Sequence, residues 1–226
     1  MAMWRELCPV LDSERMYMAL YDLCIFGEKY RVLPKLDDAL DMFRMITPSS
    51  VRVVIVAQSP YPGRCPATGI PYACGPAFLP ARGCTTTPVT LKNVVSEVHR
   101  DFGKKVATET PSSMLLRWID QGVMLLNASL TLGADCPKYL EDHSVLWQEI
   151  VQDIVCTICD KLDPVVVLVG KEAWKLEGCI KHGTRVLRVS HPAARNETST
   201  PWLGSRVFSA ISYMMIQREE MPIRWL

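Results

Sequence analysis

A three-layer α/β/α sandwich around a central, mostly parallel four-stranded sheet is predicted by three features of the sequence. First, four short apolar runs rich in β-branched residues end in polar or turn residues: Val51–Gln58, Gly122–Leu130, Pro164–Gly170 and Thr184–Ser190. Second, these runs are nearly continuous rather than alternating, which suits buried strands of a parallel sheet covered on both faces. Third, helical patterns long enough for crossover connections lie between them. In order, Thr90–Phe102 and Ser112–Gln121 read as helices. Next, Leu146, Ile150, Ile154, Ile158 and Leu162 recur every fourth residue, and Val151 and Val155 widen the stripe. Asp142 or Ser144 is the expected cap of that helix. Lys171–Lys181 reads as another helix, and Phe208–Arg218 as a closing one that stops before Pro222. There is no internal repeat or linker. Residues 1–226 are therefore expected to form one domain, with residues 1–50 as a helical extension packed on it.

Composition narrows the function classes. Of 226 residues, 49% are apolar and 22% charged, which excludes disordered and low-complexity chains. No apolar run reaches the roughly 18 residues needed to span a bilayer, and the first residues lack the pattern of a secretory signal. Nine cysteines, an odd number scattered through a chain able to bury its own core, argue for free thiols and an intracellular setting. The net charge is only +1, but Lys171–Arg206 holds seven Lys or Arg against three Glu. Such a stretch can face phosphates.

Ligands of parallel α/β sheets bind beyond the carboxyl ends of the strands. Here those ends read Gln58-Ser59-Pro60-Tyr61-Pro62, Asn127-Ala128-Ser129, Gly170-Lys171-Glu172 and Ser190-His191-Pro192. Three of the four offer a polar side chain able to read or polarise a small planar ligand.

These strand ends resemble the uracil-DNA glycosylase family. Gln58-Ser59-Pro60-Tyr61 is similar to the family's water-activating Gly-Gln-Asp-Pro-Tyr motif. Thr68-Gly69-Ile70-Pro71-Tyr72 is similar to the segment carrying the aromatic lid. Pro88-x-x-Leu91-Lys92-Asn93 resembles the proline-rich loop on the DNA backbone and the helix after it. Gly122–Asn127 resembles the base-reading strand, and Ser190-His191-Pro192-Ala193-Ala194-Arg195 the loop that enters the minor groove. Gly204, Phe208, Ser209 and the Ile223-Arg224-Trp225 ending also match. Pro62, Pro192–Arg195 and Gly170-Lys171 with Trp174 make the poxviral branch the nearest in resemblance.

The resemblance implies an enzyme that hydrolyses the N-glycosidic bond of uracil in single- or double-stranded DNA without metal or cofactor. Asn127 would read the uracil edge, Tyr72 would stack on the base, Tyr61 would exclude the thymine methyl, and Gln58 would complete the pocket. His191 would hydrogen-bond uracil O2, while Pro60, Pro88, Pro192, Ala193 and Arg195 would meet the DNA. It also implies a viral polymerase processivity subunit at host cytoplasmic replication sites. The partner would dock on Arg185, Leu187, Trp202 and Leu203; a homodimer is a further candidate assembly, and no membrane is involved.

One departure stands out. Ser59 occupies the slot of the water-activating Asp, and serine supplies neither negative charge nor a useful base at neutral pH. The alternative reading is therefore a DNA-binding processivity scaffold with weak or no catalysis. Other signals are better read as structure. Cys156-Thr-Ile-Cys159 has metal-like spacing but lies in an amphipathic helix without a second pair. Cys65, Cys74 and Cys84 do not match iron–sulfur spacings. His99, His143 and His182 show no ligand pattern; His143 falls near a family histidine, with a surface or capping role as the plain alternative.

Overall fold

The runs at residues 53–57, 123–127 and 165–169 are apolar on both faces, and such strands persist only when both faces are covered. The computed structural model describes residues 1–61, 88–103, 110–134, 137–194 and 200–226. In chain order the elements are α1 (Ala2–Leu7), α2 (Glu14–Lys29), β1 (Val32–Leu33), α3 (Met42–Met45), β2 (Val53–Ala57), α4 (Val89–Asp101), α5 (Pro111–Asp120), β3 (Val123–Asn127), β4 (Leu132–Gly133), α6 (Pro137–Leu162), β5 (Val165–Val169), α7 (Lys171–Trp174), β6 (Val186–Val189) and α8 (Val207–Ile216).

The main sheet is parallel throughout, in the order β3-β2-β5-β6. Its register pairs Val53 with Val123 on one side and with Val165 on the other, so Ala57 ends level with Asn127. Every residue of β2, β3 and β5 is buried. The fourth strand departs from the expected burial: β6 is an edge strand, half-buried at Val186 and Leu187 and exposed at Arg188. Arg188 pairs with Glu177 at 2.6 Å, and a charge at this position discourages pairing with another chain. The short β1 pairs antiparallel with β4.

The helices largely follow the sequence pattern. Thr110 caps α5 by accepting the Ser113 amide at 3.2 Å, with Pro111 at the first helical position. Two readings need correction. The long helix starts at Pro137, not near residue 144, so Asp142 and Ser144 lie inside α6 rather than at its cap; Pro at a first turn starts a helix as well as a polar cap does. The expected helix Lys171–Lys181 is α-helical only to Trp174, then tightens to a 3-10 stretch, Lys175–Cys179. Gly178 within it disfavours continued α-helix.

Aromatic side chains close the core. Trp118, Phe208 and Trp225 meet with ring centroids 4.9–5.4 Å apart. Trp118 Nε1 donates to the Trp225 carbonyl at 3.1 Å, and Trp225 Nε1 to Ser212 Oγ at 3.0 Å. Under α1, Trp4 is fully buried and donates to the Ile46 carbonyl at 2.6 Å. Each indole thus buries its apolar body with its one donor satisfied.

Candidate active site

The parallel register brings the strand exits into one row. Strands lie about 4.8 Å apart, so Asn127 on β3 and His191 after β6 are separated by roughly 14 Å of sheet width. The residues between them follow β2 and β5.

The first two exits are tied by backbone. Ala128 N–H donates to the Ala57 carbonyl at 2.8 Å, and Ser129 N–H to the Gln58 carbonyl at 3.0 Å. Gln58-Ser59 and Ala128-Ser129 therefore run side by side beyond the sheet. Asn127 is buried, and its Oδ1 has no hydrogen-bond partner among the described residues. An orphaned amide oxygen in a buried setting costs about 1–3 kcal/mol unless something fills its place. Two other buried atoms, His99 Nδ1 and Thr200 Oγ1, also lack a partner among the described residues, but neither sits at a strand end. Gln58, Ser59 and Tyr61 are half-buried and Pro60 is buried.

The other end of the row is set by His191. Ala193 N–H donates to its Nδ1 at 3.1 Å, so a neutral ring carries its proton on Nε2. Burial pushes the imidazole pKa below its ordinary value, which favours that neutral ring. Gly170 leaves the space beside it: a Cβ there would lie 3.2 Å from His191 Cβ, and the residue has φ +85°. Pro192 is buried and Ala193 half-buried. Behind this loop, Asn93 Nδ2 donates to the Pro192 carbonyl at 2.6 Å. Trp202 Nε1 in turn donates to the Asn93 carbonyl at 3.0 Å.

A cleft of about 340 Å³ opens beside Ser59. It is lined by Gln58, Ser59 and Ser129 at the strand ends, by Glu141, Ser144, Val145 and Gln148 of α6, and by Glu172 and Lys175. Lys175 Nζ lies 2.6 Å from Glu172, at an exposed position.

The structure thus brings Gln58, Ser59, Pro60, Tyr61 and Asn127 to neighbouring strand ends, with His191, Pro192 and Ala193 further along the row. Pro88 is the residue immediately before α4. Tyr72 and Arg195 lie outside the described residues, as do Cys65, Cys74 and Cys84. The expected partner surface is not one exposed patch. Leu203 is 48% exposed, Arg185 and Leu187 are half-buried, but Trp202 is 5% exposed and packs edge-on against Phe208 at 6.1 Å. Its indole donor is used on α4, which draws it into the core.

One further reading changes, and one stands. His143 is neither surface nor cap: it is fully buried, with Nδ1 2.7 Å from Thr131 Oγ1 and Nε2 3.2 Å from the Tyr30 hydroxyl. Burial lowers its pKa to about 4, against a weaker opposing pull from Asp142. Cys156 donates its thiol to the Cys179 carbonyl at 2.9 Å, and burial pushes the Cys159 thiol up to about 12. Protonated thiols of that kind are poor metal ligands, and among the described residues no His, Cys, Asp and Glu cluster could hold a metal ion. Sequence reasoning missed Asn93, Glu97 and Asp101 of α4 as a set. Their spacing of four residues on one helix was the available signal.

Comparison with known proteins agrees with this layout. Residues 43–211 match the family model of the "Uracil DNA glycosylase superfamily". The chain is 32% identical over 223 residues to a uracil-DNA glycosylase of Ruegeria sp. (strain TM1040), covering 98% of this chain and 88% of the relative. It is 28% identical over 227 residues to one from Desulfitobacterium hafniense (strain DSM 10664 / DCB-2), covering 98% and 95%. The crystal structure of mimivirus uracil-DNA glycosylase shares the fold, with a TM-score of 0.81 at 20% identity over 99% of this chain and 86% of that one. With most of its length matched by the family model and a relative above 30% identity spanning nearly all of it, the chain belongs to the uracil-DNA glycosylase superfamily.

Proposed function

We propose that the protein excises uracil from DNA by hydrolysing the bond between uracil N1 and the deoxyribose C1′. The observation that carries this reading is the buried Oδ1 of Asn127 at the end of β3, unpartnered among the described residues. A uracil edge offers the N3–H donor that this oxygen lacks, and the amide's own N–H suits uracil O4. Cytosine presents the opposite pattern at these positions, leaving buried polar groups unpaired, and is rejected for that reason. Tyr72 stacks on the flipped base, Tyr61 closes the space beside C5, and Gln58 completes the wall.

As the C1′–N1 bond breaks, its electron pair stays with uracil and charge gathers on O2. The Nε2–H of a neutral His191 donates to that oxygen, an oxyanion-type stabilisation. A water oxygen bonds C1′, its proton passes to solvent, and the uracil anion is later protonated. Ser59 can orient that water by hydrogen bonding but cannot take its proton as a carboxylate would. Pro60, Pro88, Pro192, Ala193 and Arg195 hold the DNA strand that delivers the base.

Uracil release from a single-stranded oligonucleotide tests this directly. Wild-type protein should release uracil slowly, and Ser59→Asp should raise the rate by about 10²–10⁴-fold, the usual contribution of a positioned general base. No release by either protein would overturn the reading.

The finer role as a viral polymerase processivity subunit would use the β6 edge with Arg185 and Leu187, together with exposed Leu203. Leu203→Ser should then weaken capture of the processivity partner while leaving uracil release intact.

A further inference from the structure

One peptide plane carries two of the hydrogen bonds around His191. The Pro192 carbonyl and the Ala193 N–H belong to the same planar unit and point in opposite directions. Asn93 Nδ2 holds the carbonyl end at 2.6 Å, and the N–H end reaches His191 Nδ1 at 3.1 Å. Proline restricts the chain just before this plane, since its ring fixes φ and its nitrogen has no hydrogen to offer elsewhere. Accepting a hydrogen bond at the carbonyl also polarises the peptide, strengthening the N–H as a donor. We propose that Asn93 is a positioning residue for the glycosylase reaction, fixing the direction and tautomer of His191 through the Pro192–Ala193 peptide.

The rest of α4 shows why this falls to Asn93. Asn93, Glu97 and Asp101 recur every four residues along one helix face. Glu97 is fully buried and accepts the Gly204 amide at 2.6 Å, the Arg206 amide at 2.9 Å and the Ser205 hydroxyl at 3.3 Å. Asp101 accepts the Ser209 amide at 2.8 Å and its hydroxyl at 2.7 Å. Those two carboxylates fasten the start of α8, where Arg206 has a left-handed φ of 54°. Asn93 alone acts on the peptide that touches the imidazole. Trp202 Nε1 on its backbone carbonyl anchors Asn93 in turn. The side chain can therefore be changed without removing that anchor.

The inference rests on the glycosylase reading, but its test separates the two. Asn93→Asp keeps the volume and sets an acceptor against the Pro192 carbonyl, while Asn93→Ala only deletes the donor. The imidazole nitrogens, isotope-labelled and read by NMR near neutral pH, should show one bare Nδ1 and one protonated Nε2 in the wild type. Both variants should show a mixture of tautomers. Turnover on a uracil oligonucleotide should fall about 10²-fold with KM changed less than about threefold, as expected when a reacting group is misplaced by about 1 Å. Glu97→Gln loosens the 204–206 segment that α4 also holds, one helical turn away; it should lower the melting midpoint yet keep a single tautomer. An unchanged single tautomer in the Asn93 variants would overturn the proposal, whatever happens to turnover. Equal tautomer mixing in Glu97→Gln would overturn it too, because general loosening would then suffice. If Asn93→Asp does not fold, Asn93→Ala carries the same readout. No uracil release by wild type or by Ser59→Asp would defeat the functional reading and leave this proposal standing, since the tautomer measurement needs no catalysis.

Discussion

Two buried polar groups lie four residues apart after β3 and are treated in opposite ways. Asn127 ends the strand with its side-chain oxygen unpartnered among the described residues. Thr131 is the hub of a closed network. Its Oγ1 accepts from Trp147 Nε1 at 2.6 Å and faces His143 Nδ1 at 2.7 Å. Both His143 nitrogens thus have a partner, Thr131 at Nδ1 and the Tyr30 hydroxyl at Nε2. Stability alone favours the second arrangement, since an unmet buried acceptor costs more than a made bond returns. On the proposed function, the cost at Asn127 is that of a place kept for a ligand. Hydrogen-bond satisfaction thus separates the part of this segment that holds the fold from the part proposed to meet the substrate.

The largest effect that would sharpen this contrast is on turnover. Asn127→Ala should lower kcat/KM for uracil DNA by about 10²–10³-fold, in line with loss of one oriented hydrogen-bonding group at a reaction site. Its denaturation midpoint in urea should move little, because the oxygen removed has no partner among the described residues. Asn127→Asp should also tilt base competition from uracil toward cytosine, whose amino group a carboxylate can accept. A large stability loss with intact turnover would break the comparison from this side.

Thr131→Val should do the reverse. It keeps the shape but strands the Trp147 N–H and His143 Nδ1, at about 1–3 kcal/mol for each group left unmet. The urea midpoint should fall while turnover per folded molecule stays within about twofold, since no atom of the strand-end row is touched. Equal loss of both would merge the two regions into one.

The smallest effect at neutral pH concerns His143. Its folded pKa, about 4, lies below the ordinary value of 6.5. The unfolded chain therefore binds the extra proton, and stability is complete above pH 6.5 and declines as pH falls toward 4. The slope in that window approaches about 1.4 kcal/mol per pH unit for one proton. His143→Asn should flatten the acid limb of a stability–pH curve there and leave the limb above pH 7 unchanged. An identical acid limb would mean that His143 is already charged in the folded protein.

The strands were legible because β-branched apolar runs bounded by polar residues have few other uses, and the site was legible because it lies where those runs stop. What stayed hidden follows from the same physics. A helix start at Pro137 is invisible to a search for polar caps. The half-exposed β6 differs from the buried strands by Arg188, a charge inside the run that its apolar neighbours outweighed, and its edge position follows from which strands pair. Trp202 is of a residue type common at interfaces, and only the fold, through its indole bond to Asn93 and its contact with Phe208, turns it inward. His143 gave no periodic signal because its partners are Tyr30 and Thr131, which only the fold brings to it.

The placement of β2 has a consequence for how the protein is made. It emerges first of the four parallel strands yet lies inside the sheet, paired on one side with β3 and on the other with β5. Neither flank exists until the ribosome has passed residue 127 and then residue 169. During that interval an apolar strand waits with two open edges, the condition under which nascent chains associate wrongly. Pairings between strands so far apart in sequence also form slowly. The nascent chain thus has a built-in demand for chaperone shelter between its first and third sheet strands. Slowing translation in that interval should raise the aggregated fraction more than slowing it after residue 189.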